Sequence, residues 1–352
     1  SLYPDQLEKL LRDIEALSPV VGKELARLPG RGVSGSGASG SAPGWSVRAV
    51  SAGAEAAENA GSARAAGPGE SAAAVSAPGA FSCAFQGERG AYSEQALRRF
   101  FDSDDIKAVP RYSFDDVFKS VLSGETTYGI LPLENSLSGS IHENYDLLLQ
   151  YPDCRIVGEK KIRIVHSLIG LPGAAIKGLT RVYSHPQGLA QCGRFLGGIA
   201  ARFYPYYDTA GSVAFIAKEG NPEYGAIAGT EAAKVYGMAV LKEGIETNPR
   251  NYTRFVVIAR EERGEPEDWN KASLVFAAPD TPGSLFTCLR IIADRKLNMR
   301  KLESRPIHGK PWEYMFYVDV EIGGEREEFR AALEDLSKTA IDLRLLGVYR
   351  GE

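Results

Sequence analysis

Asn251-Tyr252-Thr253-Arg254-Phe255-Val256-Val257-Ile258-Ala259 sets a short polar segment directly ahead of an apolar, β-branched run. The run reads as a β-strand, and Asn248-Pro249 reads as the turn before it. A hydroxyl and a guanidinium are thereby placed at a strand edge, where a rigid backbone can hold both toward a cleft. Taken alone, the same pair also fits a surface Arg beside a Thr chosen for β-propensity, so its meaning depends on the rest of the chain.

The chain has 352 residues, a net charge of -4 and 44% hydrophobic residues, enough for about two domains with cores of their own. A mildly acidic balance gives no footprint for nucleic acid. No apolar run approaches the roughly 20 residues that span a bilayer, and Ser1-Leu2-Tyr3-Pro4 does not read as the start of a signal peptide, so a soluble, cytoplasmic protein with no membrane partner is expected. Cys83, Cys154, Cys192 and Cys288 are scattered, with no C-x-x-C pair and no His at ligand spacing, which predicts reduced thiols and no metal site.

Residues 1–29 carry Leu7, Leu10, Leu11, Ile14 and Leu17 at helical spacing, interrupted by Pro19, and read as an amphipathic helix or a broken pair. Residues 30–79 are mostly Gly, Ala and Ser with few large apolar side chains, the composition of a linker that cannot offset its ordering entropy by burial. Order is expected from Phe81. Cys83-Ala84-Phe85 reads as a strand, and Gly87-Glu88-Arg89-Gly90-Ala91-Tyr92-Ser93 turns into a helix near Glu94, with Ser93 as the expected cap and free N–H groups able to meet an anion.

Strand, polar loop and helix then repeat. Tyr128 to Pro132 is followed by Glu134-Asn135-Ser136-Leu137-Ser138-Gly139-Ser140, which is expected to open a helix running through Tyr145 to Leu149. Ile162 to Leu171 reads as a strand, Val182-Tyr183-Ser184 as another, and His185-Pro186-Gln187-Gly188 leads into a helix from Leu189 to Leu196. Tyr207 leads through Asp208-Thr209-Ala210-Gly211-Ser212 into a helix, and Tyr224 to Ala228 precedes one from Thr230 to Val235. Alternation of this kind implies an α/β domain with largely parallel sheets, whose ligands sit at strand carboxyl ends and helix N-termini.

A charged segment over 261–270, with Gly264 and Pro266, marks a second boundary. Beyond it the order is strand Lys271–Ala277, helix Pro282–Lys296, strand Leu297–Pro306, turn His308-Gly309-Lys310-Pro311, strand Trp312–Ile322, helix Glu325–Ser337 and strand Ile341–Tyr349. That is βαββαβ, the ferredoxin-like arrangement.

Together the stretches Gly87 to Ser93, Pro132-Leu133-Glu134-Asn135-Ser136-Leu137-Ser138-Gly139, Ser184-His185-Pro186-Gln187, Asp208-Thr209-Ala210, Asn251 to Phe255 and Glu303-Ser304-Arg305-Pro306 occur in an order and spacing that resembles the prephenate dehydratase family with a C-terminal ACT regulatory domain. The likeness runs from about Phe81 to Gly351. It implies a two-lobed catalytic domain over 80–262, similar to periplasmic binding proteins, and an ACT domain over 270–352. The first lobe would hold Phe81 to about Leu149 plus the returning Thr253 strand. The implied activity is conversion of prephenate to phenylpyruvate, carbon dioxide and water, with L-phenylalanine as effector. In the family the effector site uses a Gly-Ala-Leu motif, here Gly283-Ser284-Leu285 with Ser in place of Ala, together with Glu303-Ser304-Arg305-Pro306. ACT domains commonly pair across subunits, which implies a homodimer or a dimer of dimers.

Prephenate carries two carboxylates, a ketone and a ring hydroxyl, and aromatisation drives its reaction. The protein must bind a dianion and assist a hydroxide leaving group; no metal, nicotinamide or pyridoxal is needed. On this reading Arg254 pairs with the pyruvyl carboxylate and Thr253 donates a hydrogen bond to the departing hydroxyl. Ser93, Asn135, Ser136, Ser138, Ser184, His185, Gln187, Asp208, Thr209, Ala210 and Phe255 line the substrate site. For His185, Glu134 and Asp208 a purely structural role, as turn, fold-stabilising carboxylate or helix cap, stands beside the functional one. Three rivals are weighed. A chorismate mutase domain would need long helices rich in Arg and Lys, which residues 5–28 do not offer. Arogenate dehydratase differs only in an amino group where prephenate has its ketone. A non-catalytic sensor would be marked by loss of cleft polar groups, and Thr253-Arg254-Phe255 and Asn135-Ser136 are intact.

Overall fold

The computed structural model describes residues 81–103, 105–261, 267–307, 310 and 313–352. The amphipathic helix and the linker expected over 1–79 lie outside the described residues. So do the Gly264 and Pro266 boundary and most of the turn at His308 to Pro311.

In chain order the elements are β1 (Ser82–Gln86), α1 (Tyr92–Phe101), β2 (Lys107–Arg111), α2 (Phe114–Leu122), β3 (Tyr128–Asn135), β4 (Gly139–Ser140), α3 (His142–Gln150) and β5 (Cys154–Arg163). The second group is β6 (Ser167–Gly170), β7 (Arg181–Ser184), α4 (Pro186–Gln191), α5 (Gly193–Leu196), β8 (Arg202–Pro205), α6 (Thr209–Glu219), β9 (Tyr224–Ala228), α7 (Thr230–Val235) and β10 (Ala239–Glu243). Then come β11 (Tyr252–Arg260), β12 (Lys271–Ala277), α8 (Ser284–Asp294), β13 (Asn298–Pro306), β14 (Tyr314–Glu321), α9 (Arg326–Thr339) and β15 (Ile341–Tyr349).

One lobe is built on the sheet β2-β1-β3-β11-β5, with β4 paired to β3; the other is built on β10-β6-β9-β7-β8. Both sheets are mixed rather than largely parallel. In the first, β1 pairs in parallel with β2 and β3, whereas β11 runs antiparallel to β3 and β5. In the second, β7 is parallel to β8 and β9, whereas β6 runs antiparallel to β9 and β10. The reason is connectivity. A strand that enters a lobe from the cleft side starts where the carboxyl ends of the parallel strands lie, so it must run against them.

The expected strand Ile162–Leu171 is in fact the end of β5, a crossing segment and β6. Apolar residues continue through the break because Ile164 is buried between the lobes, where its N–H donates to the Asn251 carbonyl over 2.8 Å. Residues 245–251 return alongside: Ile245 N–H donates to the His166 carbonyl over 3.0 Å, and Glu246 accepts from His166 N–H over 3.0 Å. Two further boundaries differ. Asn135 ends a strand rather than opening a helix, and α3 starts only at His142. Ala91, not Ser93, is the cap of α1.

The strand β11 is buried from Thr253 to Ala259, and its two faces meet different partners. Phe255 and Val257 join a core with Phe85, Leu97, Ala210 and Ala228, which spans both lobes. Val256 and Ile258 join a second core with Val117, Leu148, Val275, Tyr317 and Tyr349, which unites the first lobe with the C-terminal sheet. Alternation along a strand makes this division automatic.

The C-terminal module has strand order β13-β14-β12-β15, every pairing antiparallel, in the βαββαβ sequence expected. Ala272, Leu274 and Phe276 on β12 pack beneath α8 and α9. Val275 and Ala277, on the other face, pack against the first lobe. At Gly347 on β15 the backbones nearly touch: a Cβ there would lie 2.1 Å from the Ile156 carbonyl oxygen of β5 and 2.9 Å from its carbonyl carbon and nitrogen. Neither wall is a side chain that can swing aside. Gly347→Ala is therefore expected to destabilise the protein by about 1–3 kcal/mol, read as a fall in the midpoint of thermal unfolding. An unchanged midpoint would show that the two sheets can part without cost.

Candidate active site

Thr253, 7% exposed, sits on the face of β11 that meets the second lobe, paired in register with Asn135 at the end of β3. Asn135 Nδ2 donates to Thr253 Oγ1 over 3.0 Å, to Asn251 Oδ1 over 2.7 Å and to the Tyr252 carbonyl over 3.1 Å, two hydrogens serving three acceptors. Its Oδ1 accepts the N–H groups of Leu137 and Ser138, both over 3.0 Å, which shapes the turn between β3 and β4. Ser136 completes the join: its Oγ accepts from Tyr252 N–H over 2.9 Å and donates to the Arg250 carbonyl over 3.0 Å. Because Thr253 Oγ1 accepts from Asn135, its own hydroxyl hydrogen is not consumed by that bond.

The network continues into the second lobe. Asn251 Nδ2 donates to Gln191 Oε1 over 2.9 Å, and Gln191 Nε2 reaches Ser138 Oγ over 3.4 Å. His166 Nε2 lies 2.8 Å from the same Gln191 oxygen, which assigns the proton of the neutral ring to Nε2, and Nδ1 faces the Tyr92 hydroxyl at 2.9 Å, whose one hydrogen is shared between Nδ1 and the Val165 carbonyl, also at 2.9 Å. Burial holds His166 neutral, below the usual histidine range, against the opposing pull of Gln191 and Glu246. Tyr92, His166, Gln191 and Asn251 were not among the residues expected at the site. Tyr92 and Asn251 lie inside quoted motifs, but nothing in their spacing marks His166 or Gln191, which join the network because the chain crosses between lobes beside them.

Several expected anion sites are already occupied by the protein's own carboxylates. Gly90 N–H, ahead of α1, donates to Glu94 Oε2 over 2.7 Å. Gly90 itself has φ +84, and a Cβ would meet the Ala232 backbone of the other lobe at 2.6 Å, so the approach of the lobes requires glycine there. Asp208 caps α6, its Oδ1 accepting from Gly211 N–H over 2.7 Å and from Glu88 N–H of the first lobe over 3.5 Å. Burial raises the Asp208 pKa, partly offset by those N–H bonds. His185 caps α4, its Nδ1 accepting from Gln187 N–H over 3.3 Å, and burial lowers its pKa too. A neutral His185 then offers Nε2–H as a donor.

Of the expected site residues, the structure gathers Thr253, Asn135, Ser136 and Ser138 into one network on the first lobe. Ser136, Ser138 and Gln187 are exposed, His185 and Thr209 half-buried, and Ser93 is buried in the first turn of α1. Others face elsewhere. Ser184 is fully buried and donates to the Ile227 carbonyl over 2.6 Å; Ala210 and Phe255 are core residues of the shared cluster.

Arg254 is the principal correction. Successive residues of a strand point to opposite faces, so with Thr253 on the cleft side its guanidinium lies on the far side, 7% exposed. Nε donates to Glu159 over 2.6 Å, Nη1 to Asp319 over 2.5 Å and Nη2 to the Tyr349 hydroxyl over 2.8 Å. Lys271 Nζ reaches the same Glu159 oxygen over 2.7 Å, and Ser273 Oγ donates to Asp319 over 2.5 Å. Burial pushes the Glu159 and Asp319 carboxyls up, but the Arg254 and Lys271 charges outweigh it and hold both below the usual range. With all three of its nitrogens engaged there, the guanidinium does not reach a substrate carboxylate in the cleft.

In the C-terminal module, Gly283, Ser284 and Leu285 line a cavity of about 430 Å³ with Ala277, Tyr314 and Phe316. Glu303 and Arg305 turn away from it, toward the first lobe. Glu303 accepts from Ser140 Oγ over 2.9 Å, and Arg305 reaches Asp146 over 2.8 Å. Ser304 and Pro306 lie opposite the cavity-lining Phe316 and Tyr314.

A two-lobed α/β domain with a polar network at the lobe junction, carrying a ferredoxin-like module with a cavity of its own, defines an enzyme of small-molecule chemistry joined to a regulatory unit. The chain belongs to the prephenate dehydratase family: the family model "Prephenate dehydratase" matches residues 83–263 and the model "ACT domain" residues 272–338. It is a carbon–oxygen lyase of the dehydratase type. It is 40% identical over 277 residues, covering 76% of this chain and 72% of the relative, to Arogenate dehydratase/prephenate dehydratase 2, chloroplastic, of Arabidopsis thaliana. Among solved structures, the prephenate dehydratase of Arthrobacter aurescens in complex with L-Phe matches with a TM-score of 0.70 at 27% identity, over 76% of this chain and 89% of that one. GqqA, described as a quorum-quenching acylase, matches equally well with a TM-score of 0.70 at 29% identity, over 77% of this chain and 98% of that one.

The neutral His166 gives a test of the network. Its folded pKa is depressed, so as pH falls below about 6.5, the unfolded value, the unfolded chain takes up a proton that the folded chain refuses. Stability is complete above that pH and declines below it. His166→Asn should flatten the decline in a comparison of urea midpoints at pH 7 and pH 5.5. Equal slopes for the two proteins would contradict the burial of a neutral ring.

Proposed function

We propose that the cleft binds prephenate and releases phenylpyruvate, carbon dioxide and water, with Thr253 donating a hydrogen bond to the departing ring hydroxyl. The observation that carries this reading is the Asn135 Nδ2 to Thr253 Oγ1 bond of 3.0 Å, which fixes the hydroxyl while leaving its hydrogen for a ligand. The bond from the ring to its carboxyl carbon breaks, its electron pair forms the aromatic π system, and the ring C–O bond breaks to release hydroxide, which takes a proton to become water. A donor aimed at that oxygen is stronger in the transition state than in the ground state, as catalysis requires. Ser136, Ser138, His185, Gln187 and Thr209 supply neutral donors for the two carboxylates. A ring carboxylate held by such donors, rather than by a buried cation, can lose its charge as carbon dioxide leaves.

L-Phenylalanine is the proposed effector, bound at the cavity beside Gly283-Ser284-Leu285 in a homodimer or dimer of dimers joined through the ACT domains. The relative solved with L-Phe supports this choice. The compartment proposed is reducing and cytoplasmic, in keeping with four free, buried cysteines.

The test is phenylpyruvate formation from prephenate, and phenylalanine formation from arogenate, each with and without added L-phenylalanine. Prephenate turnover altered by phenylalanine is expected; preference for arogenate would transfer the same chemistry to the amino substrate, and turnover of neither would overturn the reading. Thr253→Ala should lower kcat about 10²–10³-fold with little change in KM, the scale of losing one transition-state donor. Near-normal kcat would remove Thr253 from the mechanism.

A further inference from the structure

The two residues at the heart of the network each have a neighbour that points the other way. Thr253 pairs with Asn135 across β11 and β3, and the next pair in the same register is Arg254 with Glu134. Both outer residues are ion-paired to the C-terminal sheet: Arg254 to Asp319 of β14 over 2.5 Å, Glu134 to Lys301 of β13 over 3.2 Å. Lys301 Nζ also donates to Ser140 Oγ over 2.8 Å, and Ser140 lies on β4 opposite Glu134. One ammonium thus spans both strands of the hairpin whose tip carries Asn135, Ser136 and Ser138. Glu303, two residues on, accepts from the same Ser140 hydroxyl and pairs with His142 over 3.1 Å.

We propose that the ACT sheet positions the catalytic hairpin and Thr253 through two grips, Lys301 and Glu303 on the β3–β4 hairpin and Asp319 with Tyr349 on Arg254. The proposal rests on Thr253 and Asn135 acting on substrate, and it deepens that reading by naming what sets their geometry. These four gripping groups and Arg254 are positioning residues, since they touch the active-site pair only through the backbone. Arg254 and Asp319 are buried together, so the C-terminal sheet cannot slide without either dragging β11 or leaving a charge unpaired away from water. The grip on the hairpin is more exposed and can adjust. The strand β13 that carries it has a second edge of contact, because Ser304 and Pro306 lie opposite the cavity-lining Phe316 and Tyr314. A ligand in the cavity that shifts β13 would therefore move Lys301 and Glu303 with it.

The experiment uses the full chain with Lys301→Met, Lys301→Arg and Glu303→Gln. The Lys301 side chain is only 10% exposed, but its partners Glu134 and Glu303 keep contact with water, so Lys301→Met strands no carboxylate in the interior while Met follows the lysine stem, and folding is expected to survive. Lys301→Met should lower kcat on the order of tenfold while KM stays within about twofold, and Lys301→Arg should restore most of the loss. Glu303→Gln should show the same split, more weakly. Hydrogen exchange reads the same link without turnover. The amides of Leu137 and Ser138, bonded to Asn135 Oδ1 over 3.0 Å, should exchange on the order of tenfold faster in Lys301→Met, with the thermal midpoint little changed. Wild-type kcat together with wild-type exchange in Lys301→Met would overturn the proposal. If the wild-type protein turned over neither prephenate nor arogenate, the catalytic reading would fail, and the exchange result alone would still decide whether the ACT sheet holds the hairpin.

Discussion

The pleat of one strand governs this molecule. Because β11 is extended, Thr253 and Arg254 must point to opposite sides, and each side already belongs to a different partner. On one side lie Asn135 and the junction of the lobes; on the other lie Glu159, Asp319 and the ACT sheet. The same alternation sorts Phe255 and Val257 from Val256 and Ile258, so a single strand is shared by two hydrophobic cores. Catalytic lobe, second lobe and regulatory module therefore meet at one backbone, and none can be displaced without a consequence at the others.

The two faces use different physics. The cleft face is held by neutral groups, Asn135, Asn251, Gln191, His166 and Tyr92, each a donor or acceptor for the next. Such a network orients a hydroxyl without placing a fixed charge beside a substrate that must lose one. The far face is held by a buried set of two cations and two anions, Arg254, Lys271, Glu159 and Asp319. Replacing a set of this kind by apolar residues is often neutral, but removing one member strands a charge and typically costs 3–5 kcal/mol. Its value is thus less in added stability than in fixing one arrangement of the two sheets.

Much of the architecture was legible in the sequence. The six strands and helices from Lys271 to Tyr349 follow the expected βαββαβ order, and most βα units of the lobes fall where apolar runs and glycine-bearing loops put them. What escaped has identifiable causes. The strand β5 carries Glu159, Lys160 and Lys161, and charges normally read as surface; only the partners Arg254 and Lys271 make Glu159 a buried residue. The crossing near Ile164 hides inside an apolar run because both sides of it are covered. At the candidate site, motif membership picked out Thr253, Asn135, Ser136 and Ser138, which the structure gathers into one network, but it could not say which way a side chain turns. Arg254, Phe255, Ser184 and Ala210 share motifs with site residues yet face a domain interface or a core. Period-two alternation separates Arg254 from Thr253, but not Phe255, which shares the Thr253 face and is covered there by the core. His166 and Gln191 carry no local signal at all, since their role arises only when two distant segments cross side by side.

The most direct test of this account is a crystal structure of the protein with the product phenylpyruvate bound. The account predicts the ligand in the cleft between the lobes, its aromatic ring carbon opposite the side chain within van der Waals reach of Thr253 Oγ1, and Arg254 still engaged with Glu159, Asp319 and Tyr349. A ligand carboxylate paired with the Arg254 guanidinium, or a ligand far from Thr253, would contradict it.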